Sequence, residues 1–289
     1  MATAQVTAER AGQITLGGEL SVNRLGYGAM QLTGKGVWGP PADPDEAMRV
    51  LRRAVELGVT FIDTADSYGP FVAEELIRKA LHPYPDDLVI ATKAGQVRPG
   101  PDKWVPLGRP EFLRQEVEMS LMRLGVERID LLQLHRIDKT VPLEDQIGEL
   151  AKMRDEGKIR YLGISEVSVA QLQAALAVAP IVAVQNRYNL AVRDAEAVLD
   201  YAEANGLAFI PWFPLETGKL AAEAGPTAAI AERLGATPSQ LALAWLLRRS
   251  KSILPIPGTS KVAHLEQNIA AAGLELTDDD VAALTAAVA

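Results

Sequence analysis

Short apolar runs alternate with amphipathic stretches along almost the whole chain, and the alternation repeats eight times. The runs that predict strands are RLGYGAM (24–30), TFIDT (60–64), LVIATK (88–93), IDLLQLH (129–135), IRYLGIS (159–165), IVAVQN (181–186), LAFIPW (207–212) and SILPIP (252–257). Each is followed by a helix signal, with starts predicted near Pro44, Phe71, Pro110, Leu143, Ser168, Arg193, Pro238 and Lys261. Asp43 before Pro44 and Thr237 before Pro238 offer a capping side chain ahead of a proline, whose missing N–H would be unpaired there anyway. Gly58, Gly157 and Gly206 stand where helices close in left-handed backbone.

The two periods agree on one architecture. In MRVLRRAVEL, Met48, Leu51, Val55 and, one turn on, Val59 share a side, which gives a helix with a single packing face. LVIA and DLLQL are apolar almost throughout, as in parallel strands covered on both faces. Eight such units predict an α/β fold, a (β/α)8 TIM barrel. An open doubly wound sheet is disfavoured, because the glycines of LGYGAMQLTGKGVWG lack the G-x-G-x-x-G spacing and no helix starts there. ITLGGELSVN predicts an N-terminal β-hairpin able to plug the barrel, and DDDVAALTAAVA an extra C-terminal helix. Residues 1–289 are read as a single barrel domain, the first ~12 of them expected to lack order. The longest connections, 31–43, 94–109 and 215–237, all follow strands and so belong to the face where barrels place their chemistry.

Composition narrows the function classes. The chain has 289 residues, 48% hydrophobic and 23% charged, ample for a sizeable core. A formal charge of −8 argues against general affinity for nucleic acid or anionic membrane. Without cysteine there is no disulfide, thiolate metal site or thiol redox chemistry. MATAQVTAERAGQ does not read as a secretory signal, and ALAWLL is cut off by Arg248 and Arg249 before it reaches membrane-spanning length. The expectation is a cytoplasmic protein with neither nucleic acid nor membrane as partner; its oligomeric state is left open, a monomer being compatible with the pattern.

Four residues near predicted strand ends carry the chemistry: Asp63 and Tyr68 in FIDTADSYG, Lys93 in VIATK and His135 in LLQLH. A phenol with a pKa near ~10 is a poor acid at neutral pH unless a cation stabilises its phenolate. Lys93 is expected to be that cation, and Asp63 the counter-ion that keeps a costly buried ammonium charged. His135 is placed to hydrogen-bond a substrate carbonyl or share the proton transfer. Taken singly each has a plainer explanation: a structural ion pair, a packed tyrosine, a satisfied core histidine. Their convergence on one barrel face favours catalysis. A metal hydrolase is disfavoured, because of the three histidines His82 precedes Pro83 and His264 lies on the last repeat's helix, so no metal site is expected.

In these motifs the chain resembles the aldo-keto reductases. FIDTADSYG, ATK, LLQLHRID, GISE, VQNRYN, PWFPL and IPGTS recur in that family's order, from LGYGAMQ near residue 25 to QNIAAAG near residue 273. The resemblance implies an enzyme that reduces aldehydes and ketones to alcohols with NADPH, on a tetrad of Asp63, Tyr68, Lys93 and His135. It implies cofactor contacts at Met30 and Asp63, at Ser165 and Gln185 toward the carboxamide, and at Trp212 stacked on the nicotinamide. Phe213 and Leu215 fall near the pyrophosphate, Gly258, Thr259 and Lys261 at the 2′-phosphate, and Gln267 and Asn268 at the adenine. Two positions depart from the family. Glu166 stands where Asn is usual and, ionised, accepts hydrogen bonds but donates none; His264 stands where many members have Arg, a weaker phosphate partner at neutral pH. Trp38 and Trp104, in the long loops, are expected to wall the substrate pocket. SVNRLGYGAMQLTGKGVWGPP and IPGTSKVAHLEQNIAA are most similar to a bacterial branch that includes pyridoxal reductases, which makes pyridoxal and aromatic aldehydes the candidate small-molecule carbonyl substrates. The alternative is a slow NADPH-binding sensor or interaction protein on the same barrel.

Overall fold

The computed structural model describes residues 6–215 and 226–287. Seven parallel strands form the central sheet in the order β3 (Tyr27–Gly28), β4 (Phe61–Asp63), β5 (Val89–Ala94), β8 (Ile129–Leu134), β9 (Ile159–Ser165), β10 (Ile181–Arg187) and β11 (Ala208–Trp212). The predicted eighth strand is corrected. Pro255 and Pro257 remove two ladder donors from 252–257, and the segment forms no regular strand. It joins the sheet ends by single bonds instead. Phe209 N–H donates to Ser252 C=O at 2.8 Å, Leu254 N–H to Phe209 C=O at 2.9 Å, and Gly26 N–H to Pro255 C=O at 2.9 Å. The sheet therefore curls into the (β/α)8 barrel.

The predicted hairpin is β1 (Gln13–Leu16) with β2 (Leu20–Asn23), paired antiparallel. Its Leu16 and Val22 are buried with Phe61, Leu131, Ala183 and Ile210, so the hairpin seals the barrel interior with apolar side chains. The residues before it are not loose throughout as expected: Ala8–Ala11 form a 3-10 turn, and buried Ala8 donates its N–H to Leu57 C=O at 2.8 Å.

The surrounding helices are α1 (Pro44–Glu56), α2 (Val72–Leu81), α3 (Pro110–Leu124), α4 (Leu143–Asp155), α5 (Val169–Val178), α6 (Glu196–Ala204), α7 (Pro226–Leu234), α8 (Pro238–Arg249), α9 (Val262–Ala270) and α10 (Asp278–Ala286). Asp43 caps α1 through Glu46 N–H, and Thr237 with Gln240 forms a capping box on α8. α10 is the predicted terminal helix. α6 begins three residues later than expected, and α7 is a helix within the stretch read as a long loop. A second hairpin, β6 (Gln96–Gly100) with β7 (Lys103–Pro106), stands on the connection after β5. No helix among the described residues is long and apolar enough to cross a membrane.

Candidate active site

The four expected residues meet at the C-terminal end of the sheet. Asp63 ends β4 and Lys93 lies near the end of β5, two pleats apart in register, since Asp63 pairs with Ala91. Tyr68 comes from the turn after β4, which is held by Asp66 N–H to Lys93 C=O at 3.3 Å and Phe71 N–H to Asp66 C=O at 2.6 Å. His135 follows β8 and donates its backbone N–H to Ala94 C=O at 2.8 Å.

Lys93 is fully buried, with 0% exposure, and spends all three ammonium donors. They reach Asp63 Oδ2 at 2.5 Å, Thr64 C=O at 2.9 Å and Tyr68 Oη at 3.2 Å. The other Asp63 oxygen accepts from Gln133 Nε2 at 3.0 Å and Gln185 Nε2 at 2.8 Å. The carboxylate is thus fixed on both sides. Gln133 did not enter the sequence reading, although it lies two residues before His135 and so on the same face of an otherwise apolar strand.

The electrostatics differ from expectation at Tyr68. Burial pushes the phenol's pKa up, Lys93 pulls it down and Asp63 raises it again, and the balance stays above the ordinary value. Desolvation is the largest influence and decides the direction. For Lys93 burial is the largest influence and works downward, but Asp63 and Tyr68 outweigh it and the ammonium is held above its usual range. Burial and then the cations Lys93, Arg136 and Arg98 drive His135 well below the usual imidazole value, so its ring is neutral. Ser67 Oγ lies 3.2 Å from His135 Nδ1.

Trp104 packs edge-on against two of the candidate rings, 6.4 Å from Tyr68 and 6.2 Å from His135. The Arg98 guanidinium lies 3.5 Å from the Trp104 ring centre and donates to four backbone carbonyls: Gly36, Val37, Ser67 and Lys103. One side chain therefore ties the first long loop to the β6–β7 hairpin above the site. Of the two expected pocket walls, Trp104 lines the cavity; Trp38 does not, and at 36% exposure lies among the surface residues.

The cavity in front of these groups measures about 530 Å³. Met30, Gly258, Trp212, Phe213 and Leu215 line it together with the deep-set Asp63 and Gln185. A Cβ on Gly28 would lie 2.7 Å from Ile256 C=O, and one on Gly258 2.7 Å from Gly28 C=O, so both positions need glycine for close backbone approach. Ser165 is buried outside the lining, its Oγ accepting from Arg136 Nη1 at 2.9 Å. Thr259, Lys261, Gln267 and Asn268 are not brought to this cavity; they sit on or before α9, where Thr259 Oγ1 accepts from Lys261 N–H at 3.2 Å. Glu166, in left-handed backbone at φ 58°, accepts from Trp212 Nε1 at 2.6 Å and Arg187 N–H at 2.7 Å. The departure from Asn thus clamps the tryptophan.

A barrel with buried Lys–Asp, a phenol and a neutral imidazole around a cleft walled by tryptophan has the make-up of a carbonyl oxidoreductase. Comparison with known proteins agrees. The aldo/keto reductase family model matches residues 24–289. An uncharacterized oxidoreductase of Schizosaccharomyces pombe is 52% identical over 283 residues, 98% of this chain and 92% of that protein. Pyridoxine 4-dehydrogenase of Escherichia coli K12 is 45% identical over 273 residues, 92% of this chain and 95% of that protein. An aldo-keto reductase from Klebsiella pneumoniae, solved in complex with NADPH, superposes with TM-score 0.82 at 27% identity, covering 96% and 94% of the two chains. This chain belongs to the aldo/keto reductase family and is an oxidoreductase.

Proposed function

We propose that this protein is an NADPH-dependent reductase of aldehydes, with aromatic aldehydes and pyridoxal as its candidate substrates. The observation that carries the reading is the Tyr68 hydroxyl within 3.2 Å of a buried, paired ammonium at the floor of the 530 Å³ cavity. The NADPH complex of the Klebsiella relative and the pyridoxine dehydrogenase among the relatives support cofactor and substrate class.

The residues present suit a nicotinamide. Trp212 offers a ring face, held in place through its indole N–H. Gln185 keeps Oε1 without a partner among the described residues, while its amide nitrogen serves Asp63 and Gln133, so the oxygen is open to a carboxamide NH2. The Ser165 hydroxyl, accepting from Arg136, retains its own hydrogen to donate. Gly258, Thr259 and Lys261 would meet the 2′-phosphate, and Gln267 and Asn268 the adenine. When bound, the reduced cofactor supplies hydride to the carbonyl carbon.

The protein's own groups handle the oxygen. Tyr68 gives its phenolic proton to the carbonyl oxygen, and the tyrosinate left behind is stabilised by Lys93, which Asp63 keeps charged. His135, being neutral, donates no charge; in the tautomer whose Nδ1 accepts from the Ser67 hydroxyl, the ring proton on Nε2 orients the carbonyl. The test is loss of NADPH absorbance with a panel of carbonyl compounds, run beside Tyr68→Phe. Turnover is expected to fall by a factor of ~10²–10⁴ while NADPH binding by fluorescence titration persists. Undiminished turnover in Tyr68→Phe removes the proton-donor role, and tight NADPH binding without reduction of any carbonyl replaces the reading by the sensor alternative.

A further inference from the structure

Arg136 follows His135 directly, is largely buried and lines the cavity beside Tyr68, His135 and Trp212. Its guanidinium lies 5.8 Å from the Trp212 ring centre. One nitrogen is spent: Nη1 donates to His135 C=O at 2.6 Å and to Ser165 Oγ at 2.9 Å. Among the described residues neither Nε nor Nη2 has an acceptor, although guanidinium carries five N–H groups and is never deprotonated in proteins. The carboxylate that bears most on it, Glu166, spends Oε1 on Trp212 Nε1 and Arg187 N–H and makes no hydrogen bond to the guanidinium among the described residues.

Cationic groups around the cavity outnumber the unpaired carboxylates, Glu166 being the one that bears on Arg136. Lys93 is neutralised by Asp63, His135 is uncharged, and Arg98 spends its donors on neutral carbonyls. Arg136 is left as a partly desolvated cation with unspent planar donors, the arrangement that binds an oxyanion well and is costly without one. Its position next to His135 sets where that oxyanion belongs. If the carbonyl oxygen sits between Tyr68 and His135, the next donors along the wall are those of Arg136, and the matching group is an oxygen on the carbon adjacent to the one that bears the aldehyde.

We infer that Arg136 is a specificity-determining residue that selects aromatic aldehydes carrying an ionised hydroxyl ortho to the reacting carbonyl. Pyridoxal is of that class, its ring oxygen standing beside its aldehyde. The inference rests on the proposed carbonyl reduction and deepens it by naming the feature of the substrate that the site reads.

The test compares 2-hydroxybenzaldehyde with 2-methoxybenzaldehyde, which differ in whether the ortho oxygen can ionise, on the full-length wild type, Arg136→Lys and Arg136→Gln. Alcohol formation is followed by chromatography, and NADPH affinity is measured separately by fluorescence titration without aldehyde. Wild type is expected to prefer the hydroxy compound in kcat/KM by at least about tenfold, with the KM for that compound falling as pH rises through the ionisation of its own phenol. In Arg136→Gln both the preference and the pH dependence of KM disappear, and Arg136→Lys retains part of each. A wild type that reduces both aldehydes equally well, with no pH dependence of the hydroxy compound's KM, leaves the reductase reading intact and overturns the inference without recourse to any variant. So does an unchanged preference in Arg136→Gln, including the case where NADPH binding alone weakens and the residue serves the cofactor. A protein that reduces neither aldehyde with NADPH overturns the inference together with the reading it rests on.

Discussion

Asp63→Asn removes one unit of charge at constant shape and tests the electrostatic frame of the site. In the native site one carboxylate oxygen faces the Lys93 ammonium at 2.5 Å and the other faces two amide donors, Gln133 and Gln185. An asparagine cannot satisfy both sides. With its oxygen toward Lys93 its NH2 meets two further NH2 groups, and flipped it points NH2 at an ammonium. Stripping one partner from a buried pair costs about 3–5 kcal/mol, and a blocked buried donor adds about 1–3 kcal/mol unless the site rearranges. A loss of at least about 3 kcal/mol at neutral pH is therefore expected by urea unfolding. The sign with pH follows from Lys93. In the wild type its folded pKa is raised, so its stabilisation is complete below its unfolded pKa and is lost as pH climbs through the folded value. In Asp63→Asn burial acts unopposed and lowers the folded pKa, so the folded state gives up the ammonium proton before the unfolded one and the penalty fades as pH approaches the unfolded value near ~10.4. The gap between the two unfolding curves should narrow as pH rises toward about 10 and close further only above the raised wild-type value. Turnover should fall by a factor of ~10² or more, because a neutral amine does not stabilise tyrosinate. A deficit below about 1 kcal/mol, or one that is equal at neutral and alkaline pH, refutes the assignment of Asp63 as the counter-ion that keeps Lys93 charged.

Three further outcomes follow from contacts outside the tetrad. Glu46 Oε1 accepts Val262 N–H at 3.2 Å at the start of α9, and that bond and then Arg49 hold its carboxyl below the usual range, so an anion already occupies the expected 2′-phosphate end. Glu46→Gln should shift the ratio of NADPH to NADH affinity toward NADPH by roughly threefold to tenfold in fluorescence titration, and an unmoved ratio counts against competition there. Arg98→Met strips donors from four loop carbonyls; a stability loss of about 1.5–3 kcal/mol in urea and a higher KM for aldehyde than the wild type are expected, whereas an unchanged KM separates the loop tie from the pocket. Asp66 is buried with neither carboxyl oxygen hydrogen-bonded among the described residues, and burial, then Glu74 and Glu116, push its pKa well up. A raised acid brings a penalty that is absent below its unfolded pKa and grows as pH rises above it, so Asp66→Asn should gain on the wild type in unfolding midpoint from pH ~5 to pH ~8; a difference constant over that range contradicts the buried-acid picture.

Much of the barrel was legible because periodicity records what a residue must bury. The apolar runs at 88–93, 129–135 and 159–165 become Val89–Ala94, Ile129–Leu134 and Ile159–Ser165 with shifts of a residue or none. SILPIP is apolar too, but an apolar count is blind to lost donors, and Pro255 and Pro257 reduce the eighth strand to one isolated bridge at Ile253 and single hydrogen bonds. The β6–β7 hairpin escaped because QVRPG and KWVP are short and the residues they bury, Gln96, Arg98 and Gly100, are not apolar side chains, their register being fixed by a turn through Pro101 and Asp102 and by Arg98 reaching across to Gly36 and Val37. The four candidate residues stood out through residue type at strand ends. Arg136, Gln133 and Glu46 did not, since what distinguishes them is the partner each has or lacks: Val262 lies 216 residues from Glu46, and no local pattern encodes that meeting.

The raised phenol pKa of Tyr68 bears on how such a site can work. If Lys93 acted alone, it would hold the hydroxyl partly ionised and deplete the acid that reduction consumes. Asp63 opposes that field before the reaction, and burial, the largest influence, keeps the proton on oxygen in the neutral range. In the proposed reduction, what the ammonium at 3.2 Å supplies grows as charge develops on the tyrosine oxygen, where a fixed donor already stands and nothing must reorient. A stabilisation that is small for the neutral phenol and large for the tyrosinate lowers the barrier without tightening the ground state, which is the differential effect that raises turnover. The two glutamines on the far side of Asp63 belong to this arrangement. By fixing the carboxylate they keep the ammonium on the line between Asp63 and Tyr68, and loosening either one should weaken proton donation before it weakens the fold.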